Sequence, residues 1–293
     1  MDPTHPSLSA SASWSVLVRD AETDEVVLEQ TPAVLLSAAS APKLLLLVAC
    51  AALIERGELD PREPLERASV PPVGDSGLWQ HLDQPTLTVA DAAMLVGAVS
   101  DNLATNVLLE RIGLDAVARE CDRLGIRDVH LHDAVRDVRG AGDAPRLSSA
   151  SAAGMVELMG RLARGTLGAG MLDRATADPA ALSSAALSRR VLGWMRHSVD
   201  LSLVASAFGL DPLAHGATAT GIDGEAQPPA VELFVETGTD VGVRADVGIV
   251  RTPRRTLVYA AIANWVPAPG AQDAVLASMR AIGEQVRAAA DER

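Results

Sequence analysis

Residues 37–57 read SAASAPKLLLLVACAALIERG, and the fold turns on what Lys43 does at the mouth of that segment. An apolar run of eleven residues, Leu44 to Ile54, follows the lysine directly, and Ser40 stands three positions before it. Serine hydroxyls from Ser37 to Ser40 offer N-caps, Pro42 suits a first helical turn, and Gly57 suits a stop. A buried helix is therefore expected from about Ala41 to Arg56. On a helix, positions i and i+3 share a face, so the Lys43 amine can reach the Ser40 hydroxyl. Free backbone N–H groups and the positive dipole end near Ser40 can stabilise an oxyanion. A lysine desolvated by apolar neighbours loses basicity and becomes a usable base at moderate pH. The same residues also suit plain helix-start chemistry, with Ser40 as a cap and Lys43 reaching back to water.

A second element lies at VSDNLATN, residues 99–106, between two helical patterns. The first runs from a Thr88 cap to near Ser100. The second carries Leu103, Val107 and Leu108 on one face and stops at Gly113. A short loop held between two helices can aim the Ser100 hydroxyl and the Asn102 amide into a cleft. Ser100 can relay a proton, and Asn102 can bind lysine or a substrate carbonyl. The competing reading is an N-cap cluster, with Asn106 on the surface.

The flanking segments set the architecture. SWSVLVRDAETDEVVLEQ, residues 13–30, reads as a hairpin turning at DAETDE. From about residue 61 the pattern is helical with loops. It includes SSASAAGMVELMGRLARG, where Ser148 and Ser149 are the expected caps, and a short helix at SRRVLGWMRHS. AVELFVETG, GVRADVGIVRT and TLVYAAIANW then read as an antiparallel meander. AQDAVLASMRAIGEQVRAA closes the chain as an amphipathic helix. The expected fold is α/β, of the α+β multi-domain type. An antiparallel sheet from the N- and C-terminal strands is flanked by helices, with an all-helical subdomain inserted. The expected organisation is one domain over residues 1–293. Residues 12–60 and 228–293 form the sheet part, and residues 61–227 the helical part.

Composition narrows the partners. Of 293 residues, 48% are hydrophobic and only 2% aromatic, so the core is globular and built from Ala, Leu and Val. The net charge of −13 argues against a nucleic-acid face and against an anionic membrane. Cys50 and Cys121 make no disulfide framework, no Cys/His spacing suggests zinc, and Cys50 reads as a small buried hydrophobe. The first twenty residues lack a basic and apolar leader pattern, and the run at Leu44 is too short to span a bilayer, which takes about 20 residues. A cytoplasmic location is the expectation. The expected partner is a small-molecule substrate, with no metal or cofactor and the oligomeric state unassigned.

Taken in order, Ser40-x-x-Lys43 and Ser100-Asp101-Asn102 form the signature of the penicillin-recognising serine enzymes. The chain resembles the class A serine beta-lactamases and the beta-lactamase/transpeptidase-like fold from about Trp14 to Arg287. The resemblance extends through LTVADAAMLVGAVSDNLATNVLLERIG and the closing hairpin ETGTDVGVRADVGIV. It implies Ser40 as the acylated nucleophile, Lys43 as base or proton shuttle, and Ser100 as relay to the leaving group. It implies Asn102 as the group that positions the acyl amide. The oxyanion would be held by the backbone N–H groups of Ser40 and Thr239.

Two departures stand out. The third motif reads Glu236-Thr237-Gly238, with glutamate where the family has lysine. Thr237 can still bind a ligand carboxylate, and Gly238 lets the strand approach substrate. Glu236 reverses the local charge, favours the ammonium form of Lys43 and repels a substrate carboxylate. A third motif at His215–Ala217 is the weaker choice, since it lacks a hydroxyl. Arg244, on the adjoining turn, resembles an arginine that some members aim at the substrate. It reads equally as a surface side chain. The second departure is the deacylating glutamate: none occurs between Cys121 and Val156. Asp133 or Asp137 can stand in for it, but an aspartate is one methylene shorter, and salt bridges with Arg136 and Arg139 are the stronger expectation. The expected function is a serine hydrolase acting through an acyl-enzyme on a beta-lactam or a related amide or ester. The alternative is a silent relative that binds a small ligand or partner.

Overall fold

The computed structural model describes residues 6–167, 184–215, 219–220, 226–227 and 229–292. Five long strands come from the two ends of the chain: β1 (Ala12–Asp20), β2 (Val26–Gln30), β3 (Glu232–Asp240), β4 (Val243–Arg251) and β5 (Thr256–Trp265). They form one antiparallel sheet in the order β3-β4-β5-β1-β2, closed by the pairing of Val18 with Tyr259. The period-two pattern buries both faces. Leu17, Val247, Ile249 and Ala260 face the helical body, whereas Val16, Val18, Val235 and Ala261 pack under α7 (Ala271–Asp291).

The helical body holds α1 (Leu44–Glu55), α2 (Val89–Val99), α3 (Asn102–Ile112), α4 (Leu114–Arg123), α5 (Ala152–Ala163) and α6 (Ser184–Met195). Leu44 to Ala52 are each at most 2% exposed, so α1 is apolar all round and runs through the centre. Cys50 lies within it, and burial pushes its thiol up to about 12, which leaves it an inert hydrophobe. Among the described residues no helix is long and apolar enough to cross a membrane.

The structure adjusts the expected helix starts. Ala41–Lys43 form a 3-10 turn before α1, with Ala41 N–H bonding Ala38 O and Lys43 N–H bonding Ser40 O. Ser148 and Ser149 cap nothing; Ser148–Ala150 is a short strand paired with Leu36–Ser37 and Val129–Leu131. Ser151 caps α5 instead, accepting the Gly154 N–H at 3.0 Å. The Ser148 hydroxyl is spent elsewhere, on the Ala39 carbonyl at 2.6 Å.

Candidate active site

The site begins with two turns held in left-handed backbone. Ala39 (φ 47°) bends the chain into Ser40, and Ser100 (φ 51°) ends α2. Such angles cost a non-glycine residue about 1–2 kcal/mol and recur where a side chain must be aimed. At Ser100 the bend turns both its carbonyl and its hydroxyl toward Lys43. The Lys43 amine donates to Ser100 O at 2.6 Å, to Ser100 Oγ at 3.2 Å and to Asn102 Oδ1 at 2.7 Å. Three acceptors match the three N–H bonds of an ammonium. Among the described residues Ser40 Oγ is not one of the acceptors of this amine.

Asp101 locks the loop from beneath. One of its oxygens caps α3 at the Ala104 N–H, 2.8 Å away, and the other accepts Leu78 N–H at 2.7 Å and Trp79 N–H at 2.9 Å. Gly77 (φ 125°) is required there, since a Cβ would lie 2.5 Å from the Asp101 carboxyl carbon. Asn102 is buried, with its amide N–H on the Gly74 carbonyl at 2.9 Å. Both ends of that amide are therefore engaged inside the protein. Asn106 is buried as well, exchanging two bonds with the backbone of Val135.

β3 supplies the opposite wall. It is an edge strand, and Gly238 sits against the Ser40 turn so closely that a Cβ would fall 2.1 Å from the Ala38 carbonyl. Glu236, two residues earlier on the same face, is 2% exposed and reaches toward Lys43. Burial raises its carboxyl to about 8, against the pull of the Lys43 ammonium and the nearby Ser100 hydroxyl. Burial likewise pushes Lys43 down to about 8, against the carboxylates of Glu236, Asp101 and Asp75. Each group thus restrains the other's shift.

Thr237 donates its hydroxyl to Asp200 at 2.7 Å. Asp200 follows α6 in a loop with no motif around it, and its role emerges only from the packed chain. Ser40, Ser100, Asp200, Glu236, Thr237 and Thr239 share one cleft of about 430 Å³. A second cavity of about 330 Å³ opens on the other side of Ser40, toward Asn102, Asp137 and Arg139.

Arg244 does not line either cavity among the described residues. It is the second residue of β4, its guanidinium donates to the Asp240 and Val243 carbonyls, and it lies 5.7 Å from the Trp265 ring centre. Asp133 pairs with Arg136 at 3.0 Å and Arg139 at 2.8 Å, as charge patterning suggests. Asp137 differs: it accepts the Gly74 N–H. Gly216 and Ala217 of the alternative third motif lie outside the described residues, while His215 bonds the Ser198 carbonyl through Nε2.

A sheet from both termini, a central apolar helix and a serine turn at its start define the beta-lactamase type of α/β fold. The chain belongs to the Beta-lactamase enzyme family, whose model matches residues 7–289. Solved structures agree on the fold. The beta-lactamase from Sphaerobacter thermophilus DSM 20745 superposes with a TM-score of 0.72 at 22% identity, covering 96% of this chain and 92% of that one. PBP-A gives 0.71 at 18% identity, with 96% and 91% covered. An ancestral class A beta-lactamase gives 0.70 at 19%, with 96% and 95% covered. Comparison with curated proteins yields no match.

Proposed function

We propose that the protein is a serine hydrolase that works through an acyl-enzyme on Ser40. The observation that carries this reading is the convergence of Ser40, Ser100 and Thr239 on one cleft above the fully buried Lys43 amine. Ser40 Oγ attacks the substrate carbonyl carbon, and its proton passes to the neutral form of Lys43. The backbone N–H groups of Ser40 and Thr239 hold the oxyanion. Collapse breaks the bond to the leaving atom, which takes the Ser100 proton; Lys43, 3.2 Å from Ser100 Oγ, refills that hydroxyl. Water then cleaves the serine ester to release the acid. A mutant of PBP-A has been captured as an acyl-enzyme with penicillin G, which supports this chemistry for the shared fold.

The substrate is a beta-lactam or a related amide or ester. Glu236 disfavours a free carboxylate on it. No glutamate stands between Cys121 and Val156 to activate the hydrolytic water, so deacylation is the slow step and the adduct accumulates. One observation favours a second reading, a silent ligand-binding relative: all three N–H bonds of the Lys43 ammonium are already occupied, none by Ser40. The two readings separate on covalent labelling. A fluorophosphonate or fluorescent penicillin should leave an adduct on Ser40, detected by peptide mass spectrometry and absent in Ser40→Ala. A folded sample that takes up neither probe would establish the silent relative.

A further inference from the structure

The charge of the cleft runs opposite to that of an anion-binding site. Its lining carries the carboxyl groups of Asp75, Asp200 and Glu236 and, among the described residues, no lysine, arginine or histidine side chain; the Lys43 amine lies buried beneath it. Glu236 adds a second, independent feature. Its Oε1 is buried and has no hydrogen-bond partner among the described residues, although the residue lines the cleft. A buried carboxyl oxygen without a hydrogen-bond partner is costly, and native structures supply one from the protein, water or a ligand. Asp200, held by the Thr237 and Ser202 hydroxyls, adds its negative charge to that of Glu236.

Building on the acyl-enzyme reading, we propose that the leaving-group end of this cleft is a cation subsite, in which Glu236 and Asp200 bind an ammonium or amidinium group of the substrate. The substrate class is then an ester or amide whose leaving group carries a basic nitrogen. An N–H of that group fills the open lone pair of Glu236 with a charge-assisted bond. Pairing has a second effect. A neutralised Glu236 no longer favours the Lys43 ammonium, so arrival of the cation frees the amine to accept the Ser40 proton. Substrate charge thus serves both recognition and activation of the base.

The test compares three acetyl donors that leave the same acetyl group on Ser40: 4-amidinophenyl, 4-carbamoylphenyl and 4-carboxyphenyl acetate. Each labelling rate is normalised to spontaneous hydrolysis and read by intact mass. The amidine should label at least about tenfold faster than the amide, and the carboxylate slowest, as one charge-assisted bond would give. Glu236→Gln should shrink the preference to about twofold or less, and Asp200→Asn should reduce it in part. Equal rates, or a faster carboxylate donor, would overturn the subsite. Fluorophosphonate labelling of Ser40 is run alongside, because it reports the nucleophile without reference to charge. Binding is measured separately in Ser40→Ala by calorimetry with benzamidine, benzamide and benzoate, which needs no acylation. Benzamidine should bind, losing at least about tenfold in affinity when Glu236→Gln is added. Benzoate binding as tightly as benzamidine would refute the proposal whatever the labelling shows. Should Glu236→Gln fail to fold, the ranking of the three ligands on Ser40→Ala still decides.

Discussion

Asn102 Oδ1 accepts a hydrogen bond from the Lys43 amine at 2.7 Å, while the amide nitrogen of Asn102 is tied to the Gly74 carbonyl at 2.9 Å. The amide is therefore a bracket that holds the lysine from inside the protein. Lys43→Ala should lower the rate of Ser40 acylation about 10²–10⁴-fold, the range of a lost general base. Asn102→Ala leaves the amine in place but loosens it, and should cost about tenfold. Stopped-flow labelling with a neutral ester measures both. Equal losses in the two variants would show that Asn102 does more than position.

The pH dependence follows from burial. In the proposed mechanism only neutral Lys43 takes the Ser40 proton, and burial brings its amine down to about 8. Acylation by a neutral ester should rise through about pH 8 and level off above it. Glu236→Gln removes the largest of the charges that favour the ammonium, so the rise should move to lower pH. A pH–rate profile of labelling tests the sign; movement to higher pH would contradict it.

Glu236→Lys restores the charge that the family carries at this point. Acylation by carboxylate-bearing penicillins should increase about tenfold or more, as a change from repulsion to attraction would give. Unchanged or slower acylation would mean that Glu236 does not face the bound ligand.

Gly238 is where β3 meets the Ser40 turn. Gly238→Ala places a methyl 2.1 Å from the Ala38 carbonyl, so the strand or the turn must move. Destabilisation of about 1–3 kcal/mol is expected from the overpacking. Acylation should slow as Thr239 retreats from Ser40. Chemical denaturation and labelling rate, measured on the same sample, report the two effects.

Asp101→Ala deletes the acceptor of three backbone N–H groups. Orphaning buried donors of this kind should cost about 3 kcal/mol. That corresponds to a fall in Tm of about 5 °C by calorimetry. Asp101→Asn, which keeps one acceptor oxygen, should recover part of it.

Much of this site was legible along the chain. The i,i+3 spacing of Ser40 and Lys43 and the polar triplet after α2 are local patterns, set by helix geometry. The alternation in β1, β3, β4 and β5 announces strands that bury two faces. The helical turn does begin at Ala41, as a local 3-10 turn, whereas the cap expected at Ser148 and Ser149 falls at Ser151 because the deciding bonds are long-range. Ser148 is drawn into a strand by the Ala39 carbonyl, more than a hundred positions away in sequence. Asp200 carried no signal: a single aspartate in a short loop acquires meaning only from the Thr237 hydroxyl beside it.

From sequence alone came the antiparallel sheet built from both termini, the buried central helix, and the polar residue types that mark the site, because periodicity and capping act over a few residues. What only the folded chain decided is the electrostatic state of those residues. Lys43 and Glu236 lie 193 positions apart, and neither has an unusual charge state in water. Packing strips both of solvent and sets them against each other, and desolvation and Coulomb attraction depend on distance in space, not on order along the chain.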